Sequence, residues 1–231
     1  TRHYIDDMLQ QEKMSLVGTM VNTIIHDFKN PFTLISLGAQ MLRSRHDDPK
    51  TARICDNIEA QVQRMVEMAN EVGEFSKGKQ NLQLAEVDLA ELCEKFREMN
   101  EPFFQRDNVV IEMRSTPVTV MGEENKLLRV MQNLVGNAIE AFPADANGQV
   151  QIYVHDRGDH AEIIISDNGK GIPEEIRHNL FTPFVTYGKS GGTGLGTAIV
   201  KSIIDAHQGS IEFETATGAG TTFTIALPKA G

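Results

Sequence analysis

Two long stripes of apolar residues at helical spacing dominate the first third of this chain. The first stripe runs from Ile5 to Leu42 and the second from Ile54 to Phe75, close to the seven-residue repeat of helices that pack side by side. The polar segment 44–51 contains Asp-Asp-Pro, and we expect it to be the loop of an antiparallel hairpin. A single hairpin cannot bury both stripes, so we predict that two copies form a four-helix bundle. Packing against the rest of the same chain is the alternative.

A reactive constellation lies inside the first stripe, in the segment Thr23–Phe32, which reads TIIHDFKNPF. Neutral imidazole is a nucleophile near neutral pH, and Asp27 is placed to hold one ring nitrogen of His26. Asn30 follows one helical turn later on the same face, where its amide can orient a water or a phosphoryl oxygen. Pro31 removes one helical hydrogen bond, so we expect a bend there. An ordinary surface histidine on an amphipathic helix is the alternative interpretation.

The charge balance of the chain excludes nucleic acid as its main partner. The sequence has 32 Asp and Glu against 22 Lys and Arg, a formal charge of −10, whereas nucleic-acid binding needs clustered cations. No apolar run approaches the roughly 20 residues of a membrane span, so we expect no membrane contact within this stretch. Cys55 and Cys93 have apolar neighbours and are predicted to be reduced core thiols of a cytoplasmic protein.

The ends and the remaining histidines add two smaller expectations. The chain lacks an initiator Met and begins within a helical pattern, so we expect it to be a piece of a longer protein. The histidines other than His26 form no metal-like cluster and are predicted to be surface or packing residues. His207 precedes Gly209 at a predicted helix end, where a cation suits the helix dipole.

From Leu84 onward the pattern changes to mixed helices and strands. Strands are predicted near 82–87, 109–113, 118–121, 149–156, 161–166, 210–214 and 221–227. Helices are predicted at 89–104, 123–142 and 193–207, the first with Asp88 as its N-cap. We therefore expect an α+β protein with two domains, a helical hairpin at 1–78 and, at 79–231, an α/β sandwich whose mixed sheet has helices on one face.

Two motifs of the second domain carry polar groups suited to a nucleotide and a metal. Asn133 and Asn137 lie four residues apart on one helix face, and amide oxygens can ligate a hard cation such as Mg²⁺. Asp167 stands at a strand end before Gly169, Gly171 and Ile172, where a carboxylate can accept from the amine of adenine and glycines allow close backbone approach. The alternatives without a functional role are a solvated helix face for the two asparagines and a surface turn for the segment after Asp167.

Two glycine-rich stretches complete the set. Gly191–Gly196 runs into a helix, where backbone N–H groups can cradle phosphate. The stretch is not a P-loop, because the position of the first required glycine is Pro183. Gly218–Phe223 forms a tight turn before the last strand, and Thr221 offers a hydroxyl near the base. Each stretch alone is weak evidence of function.

The order of these motifs resembles the kinase core of a two-component sensor histidine kinase. The resemblance covers nearly the whole chain, and five motifs in the right order are highly specific. In sequence order they resemble the H box at 26–32, the N box at 133–138, the first glycine box at 167–173, the F box at 181–184 and the second glycine box at 192–196.

The resemblance implies a dimerising phosphotransfer hairpin followed by an ATP-binding domain of the gyrase and MutL type, the Bergerat fold. It implies a homodimer that binds ATP with Mg²⁺, transfers the γ-phosphoryl group to His26, and passes it to an aspartate of a response regulator. Asp27 would be the base or orienter, and Asn30 would support dephosphorylation of the regulator. Asn137 would hold Mg²⁺. The other implied nucleotide-site residues are Asn133, Asp167, Gly169, Gly171, Ile172, Phe184, Lys189, Gly192, Gly194, Leu195, Gly196 and Thr221.

Some positions depart from the family pattern. Glu140 stands where many members have a Lys after the N-box Asn, and Thr197 replaces the usual Leu, which we interpret as a small packing change. Asn133 occupies the place of the water-activating Glu of related ATPases, so the resemblance implies slow hydrolysis and directed transfer. A non-catalytic phosphotransfer scaffold, or another ATPase of the same superfamily, are the rival functions.

Overall fold

A computed structural model describes residues 31–45, 48–76, 82–101, 108–143, 147–185 and 194–230. Contacts within the chain divide it into two compact units, Thr1–Lys79 and Gln80–Gly231. The predicted fold class, a helical hairpin followed by a mixed α/β domain, is confirmed. No helix in these described ranges has the length and apolar character needed to cross a bilayer.

The described part of the first unit contains two helices, α1 at residues 31–45 and α2 at Pro49–Ser76. The prediction of a loop at 44–51 was therefore too wide. Pro49 suits the first position of α2, because a backbone N–H at that position would have no partner within the helix. The side chain of Asp48 accepts the N–H of Thr51 at 2.9 Å and so caps α2.

The described part of the hairpin buries small side chains and leaves large ones exposed. Ala39, Cys55 and Val62 are buried. The exposed large apolar residues of the two helices are Leu34, Ile35, Leu37, Met41, Leu42, Ile54 and Met65. This exposure agrees with the expectation that one hairpin cannot cover its own apolar stripes.

The second unit combines strands and helices. Its described strands are β1 (Ala85–Asp88), β2 (Val109–Ser115), β3 (Thr119–Gly122), β4 (Gly148–Asp156), β5 (His160–Asp167), β6 (Ser210–Ala216) and β7 (Gly220–Pro228). The helices named here are α3 (Leu89–Met99), α4 (Glu124–Glu140), α5 (Glu174–Arg177) and α6 (Gly196–Ala206). Five strands form a sheet in the order β2-β4-β5-β7-β6, in which β2 and β4 are parallel and the other neighbours are antiparallel. A two-stranded antiparallel sheet pairs β1 with β3.

The core lies between one face of the sheet and the helices. Alternate residues of β4, β5 and β7 are buried, as the period of a strand requires. Helix α4 contacts β4 and β5, α6 contacts β6, and the two helices pack on each other. The fully buried side chains of this layer include Leu127, Met131, Leu134, Ile152, Ile165, Ile204 and Ile225.

The predicted helix ends were the least accurate part of the assignment. Helix α3 ends at Met99 rather than 104, because Asn100 leaves the helical conformation and its side-chain amide donates to the carbonyl of Phe96 at 2.8 Å. Asp88 caps the start of α3, as predicted, by accepting the N–H of Ala90 at 2.7 Å. Helix α6 begins at Gly196 rather than 193, because Gly194 has a φ of +67°, which a helix does not allow.

His207 is a packing residue, as predicted, but the hydrogen bonds of its two ring nitrogens do not fit the predicted cation at the helix end. The side chain is buried at the end of α6, with Nδ1 2.8 Å from the carbonyl oxygen of Ile203. Its Nε2 accepts the backbone N–H of Glu123 at 3.0 Å, and a ring nitrogen that accepts an N–H carries no proton. His207 thereby joins the end of α6 to the start of α4.

Candidate functional site

The carboxyl group of Asp167 lies at the end of β5, half-buried on the side of the sheet that faces the helices. It accepts the N–H of Gly169 at 2.8 Å, and its register partner on β7 is Thr221. Burial raises the pKa of Asp167, and hydrogen bonds from the backbone N–H groups of Gly169 and Thr221 offset part of that rise. The carboxylate keeps further lone pairs that can accept a hydrogen bond from a ligand.

Segment 169–172 of the first glycine box is held between the end of α4 and the turn that joins β6 to β7. The N–H of Lys170 donates to the carbonyl of Ala141 at 3.3 Å. From the other side, the N–H of Gly218 donates to the carbonyl of Lys170 at 2.8 Å. Three predicted residues, Gly169, Gly171 and Ile172, thus belong to one backbone segment fixed beside Asp167.

Asn133 and Asn137 lie on the face of α4 that is turned toward the start of α6. A Cβ placed on Gly196 would be 3.1 Å from Oδ1 of Asn133 and 3.9 Å from Nδ2 of Asn137. The amide of Asn133 is oriented by a hydrogen bond from Nδ2 to the carbonyl of Arg129 at 3.0 Å. The sequence-distant N box and second glycine box therefore meet, as the predicted phosphate site requires.

The last residue of the F box, Phe184, contacts Gly194 of the second glycine box. The N–H of Phe184 donates to the carbonyl of Gly194 at 3.0 Å. A Cβ on Gly194 would lie 2.7 Å from the carbonyl carbon of Phe184, and its φ of +67° also favours glycine. Phe184 itself has a φ of +65° and is 57% exposed, which makes it a strained residue at the edge of the site.

The remaining predicted residues divide between the described chain and the parts outside it. The side chain of Leu195 is fully buried, so it can offer a ligand only its backbone. Thr221 is buried next to Asp167. The predicted site residues that lie outside the described residues are His26, Asp27, Asn30, Lys189 and Gly192.

Two threonines that sequence reasoning did not assign to the site are tied to it. Thr215 on β6 accepts the N–H of Ile172 at 2.9 Å and lies 3.1 Å from the hydroxyl of Thr221. Thr197 was interpreted as a packing change, but its hydroxyl donates to the carbonyl of Leu180 at 2.5 Å and so ties the first turn of α6 to the segment before the F box. The sequence signal for Thr215 was its inward position on β6, across a short turn from the inward Thr221 on β7.

The polar groups form two ends of one site along α4. Asn137 lies one helical turn before Ala141, and a Cβ on Gly169 would touch the side chain of Ala141 at 2.7 Å. One end therefore presents a carboxylate acceptor, and the other presents amides and the N-terminus of α6. This arrangement suits a ligand with a donating base at one end and an anionic group at the other.

Two families match the chain, each over one of the two units. Residues 16–81 match the family described as the His Kinase A (phospho-acceptor) domain. Residues 122–231 match the family described as Histidine kinase-, DNA gyrase B-, and HSP90-like ATPase.

Individual relatives give the same result. The chain is 32% identical over 238 residues to the sensor-like histidine kinase SenX3 of Mycolicibacterium smegmatis, covering 98% of this chain and 61% of that protein. It is 31% identical to the sensory histidine kinase/phosphatase NtrB of Vibrio alginolyticus, covering 98% of this chain and 67% of NtrB. The chain thus spans less than two thirds of the first of these relatives.

The fold is similar to that of a solved two-component complex. The structure of histidine kinase ThkA with response regulator protein TrrA aligns with a TM-score of 0.68 at 28% identity, covering 99% of this chain and 66% of that one. Both family matches, the relatives and the fold agree with the order of the five sequence motifs. The chain belongs to the two-component sensor histidine kinases.

Proposed function

We propose that this chain is an ATP-dependent protein-histidine kinase that phosphorylates itself on His26 and passes the phosphoryl group to an aspartate of a response regulator. The observation that carries the proposal is the arrangement along α4. The segment that contains Asp167 and Gly169 lies against the end of this helix at Ala141, and Asn133 and Asn137 face Gly196 at the start of α6. These residues offer separate places for a base and for phosphates, which is what ATP requires.

The nucleotide roles follow from the chemistry of each group. Asp167 accepts the exocyclic amine of adenine, because it keeps lone pairs beyond its bonds to backbone N–H groups. Asn133 and Asn137 face the start of α6 and hold the phosphate end. Amide oxygens, with phosphate oxygens and water, are a donor set that fits Mg²⁺, and Asn137 would hold the ion. Bound Mg²⁺ supplies neutralisation of the phosphate charge.

The phosphoryl acceptor lies outside the described residues, so its role rests on the sequence. A ring nitrogen of neutral His26 forms a bond to the γ-phosphorus while the bond from that phosphorus to the bridging oxygen breaks and ADP leaves. Asp27 holds the other nitrogen and stabilises the charge on the imidazole. Transfer to an aspartate of the regulator then breaks the phosphorus–nitrogen bond and regenerates His26.

A second copy of the chain is the proposed occupant of the apolar surface on the hairpin. A groove of about 320 Å³ opens there, lined mainly by apolar side chains of both helices. Its lining consists of Ile35, Ile54, Asn57, Ile58, Gln61, Val62 and Met65. Burying this surface in a four-helix bundle removes the exposed apolar area from water, and we propose a homodimer for that reason.

The regulator partner and the phosphatase activity are proposed from relatives. ThkA is solved in complex with the response regulator TrrA, and NtrB is named a kinase/phosphatase. We propose that Asn30, on the face of His26, supports dephosphorylation of the regulator. We also place this kinase core in the cytoplasm, where thiols such as the free, buried Cys55 and Cys93 stay reduced.

The decisive experiment is incubation with γ-labelled ATP and Mg²⁺. Wild type and His155→Gln, a control on β4, should acquire label that is labile to acid and stable to base. His26→Gln should acquire none while it still binds ATP. Label that persists in His26→Gln would refute the assignment of His26, and a wild type that binds ATP without acquiring label would refute the kinase proposal for this chain.

A further inference from the structure

Three side chains form one row across the end of the sheet. Asp167 on β5 pairs with Thr221 on β7, and Thr221 pairs with Thr215 on β6. All three share the face that carries the buried Ile165 and Phe223. The first two residues belong to the site proposed above, and Thr215 is the outer member of the row.

The hydroxyl of Thr215 uses its full hydrogen-bonding capacity on that site. It donates its one proton to the carbonyl of Gly220 at 2.9 Å and accepts the N–H of Ile172 at 2.9 Å. Its oxygen also lies 3.1 Å from that of Thr221. The carbonyl of Gly220 can only accept, so when Thr215 gives its proton to that carbonyl, Thr221 is left as the donor between the two hydroxyls.

The bond to Gly220 reaches Asp167 through one rigid group. The carbonyl of Gly220 and the N–H of Thr221 belong to the same planar peptide, on opposite sides of it. That N–H is one of the two backbone groups that donate to the carboxylate of Asp167. Holding the carbonyl therefore fixes the direction of the N–H and, with it, the carboxylate.

The hydrogen bond between the hydroxyls of Thr215 and Thr221 decides what kind of ligand group Thr221 can bind. In this arrangement the proton of Thr221 points to Thr215, so its hydroxyl turns lone pairs, and not a donor, toward the remaining space. The carboxylate of Asp167 beside it is also an acceptor. Adenine has an exocyclic amine, a donor, where guanine has a carbonyl, an acceptor, so the pair favours adenine.

We propose that Thr215 is a positioning residue that sets selectivity for adenine over guanine, by orienting the Gly220–Thr221 peptide and the hydroxyl of Thr221. This inference rests on the proposed function, because it deepens the role of the same nucleotide site. Thr215 does not itself touch the base, so its effect must appear through Asp167 and Thr221.

The test compares the binding of ADP and GDP, with Mg²⁺, by calorimetry on the whole chain. Thr215→Val keeps the shape of the side chain and removes its hydroxyl, and Thr215→Ser keeps the hydroxyl. Thr222→Val is the matched control, because Thr222 makes a hydroxyl pair with Ser166 at 2.7 Å on the opposite face of the same strands. Melting without nucleotide measures the stability of every variant.

We expect Thr215→Val to bind ADP about tenfold more weakly, the loss of one or two hydrogen bonds, and to lose most of its preference over GDP. Thr215→Ser and Thr222→Val should stay close to wild type in both affinities. Wild-type affinity and selectivity in Thr215→Val would overturn the inference alone, as would an equal loss for ADP and GDP. A wild type that binds neither nucleotide would overturn the proposed function and the inference with it.

Discussion

The carbonyl oxygen of Asp167 lies 1.9 Å from the position that a Cβ on Gly220 would occupy. Gly220 also has a φ of +89°, so two independent restrictions exclude a side chain there. The strand that ends at Asp167 and the turn that supplies a backbone donor to its carboxylate are thus in direct backbone contact. This close approach makes the site depend on glycine at one position outside the two glycine boxes.

We predict that Gly220→Ala destabilises the protein by more than about 3 kcal/mol and abolishes ADP binding, because the backbone of Asp167 must move. Gly218→Ala is the matched control, since Gly218 has a φ of +79° but nothing within 4 Å of its Cβ position. Its cost should be about 1 kcal/mol. Urea unfolding and calorimetry measure both effects, and equal costs for the two variants would contradict the prediction.

Asp167→Asn should separate stability from binding. The folded pKa of Asp167 is raised by burial above 3.8, so its favourable contribution to folding is present below that value and is lost as the pH rises through the folded pKa. At pH 7 the charged group therefore costs stability, and we expect the Asn variant to melt no lower than wild type without nucleotide.

The same substitution should weaken ADP binding about tenfold or more, because an amide replaces one acceptor oxygen with a donor. In wild type, ADP affinity should begin to fall at a higher pH than an ordinary aspartate would give. Asp159→Asn, on an exposed turn, is the control and should bind ADP normally. An Asn variant with wild-type affinity would remove Asp167 from the site.

Removal of Mg²⁺ tests the proposed role of Asn137. We expect EDTA to weaken ADP binding by wild type, and Asn137→Ala to show the weak affinity whether Mg²⁺ is present or absent. Asn137→Asp keeps an oxygen ligand and should retain the metal dependence. Calorimetric titration in both conditions gives the comparison, and a full metal effect in Asn137→Ala would assign the ion to other groups.

Ile54→Glu should convert the proposed dimer to a monomer. Ile54 lines the apolar groove of the hairpin and is 50% exposed in the single chain, so only a partner would bury the introduced charge. Leu84→Glu, at 48% exposure in the second unit, is the control and should remain dimeric. Sedimentation velocity reports the mass, and a dimer of Ile54→Glu would place the interface elsewhere.

His207→Ala should destabilise the second unit by about 2 to 3 kcal/mol, because it leaves the half-buried N–H of Glu123 without its acceptor and opens a cavity where the buried ring stood. His155→Ala, on β4, is the control and should change stability by less than about 1 kcal/mol. Thermal unfolding monitored by circular dichroism makes the comparison. An equally mild effect for both variants would show that the bond to Glu123 contributes little.

The sequence by itself determined those features that depend on near neighbours along the chain. The cap at Asp88, the alternation of buried residues in β4 and the turn before β7 follow from local periodicity and turn chemistry. The order of the motifs identified the family, because each motif is a short stretch whose residue types are tied to one task. The predicted positions of the helix ends were less accurate, because single residues decide them: Pro49 begins α2, and Asn100 follows the last residue of α3.

Only the tertiary structure decided the contacts between residues far apart in sequence. The bonds of Thr215 to Ile172 and Gly220 depend on the register of β6 against β7, which no local pattern specifies. His207 became a core residue because α6 ends where its ring accepts the N–H of Glu123, 84 positions earlier in the chain. Local propensities select the elements, whereas strand register and helix packing decide which polar groups face each other, and the site is made of those pairs.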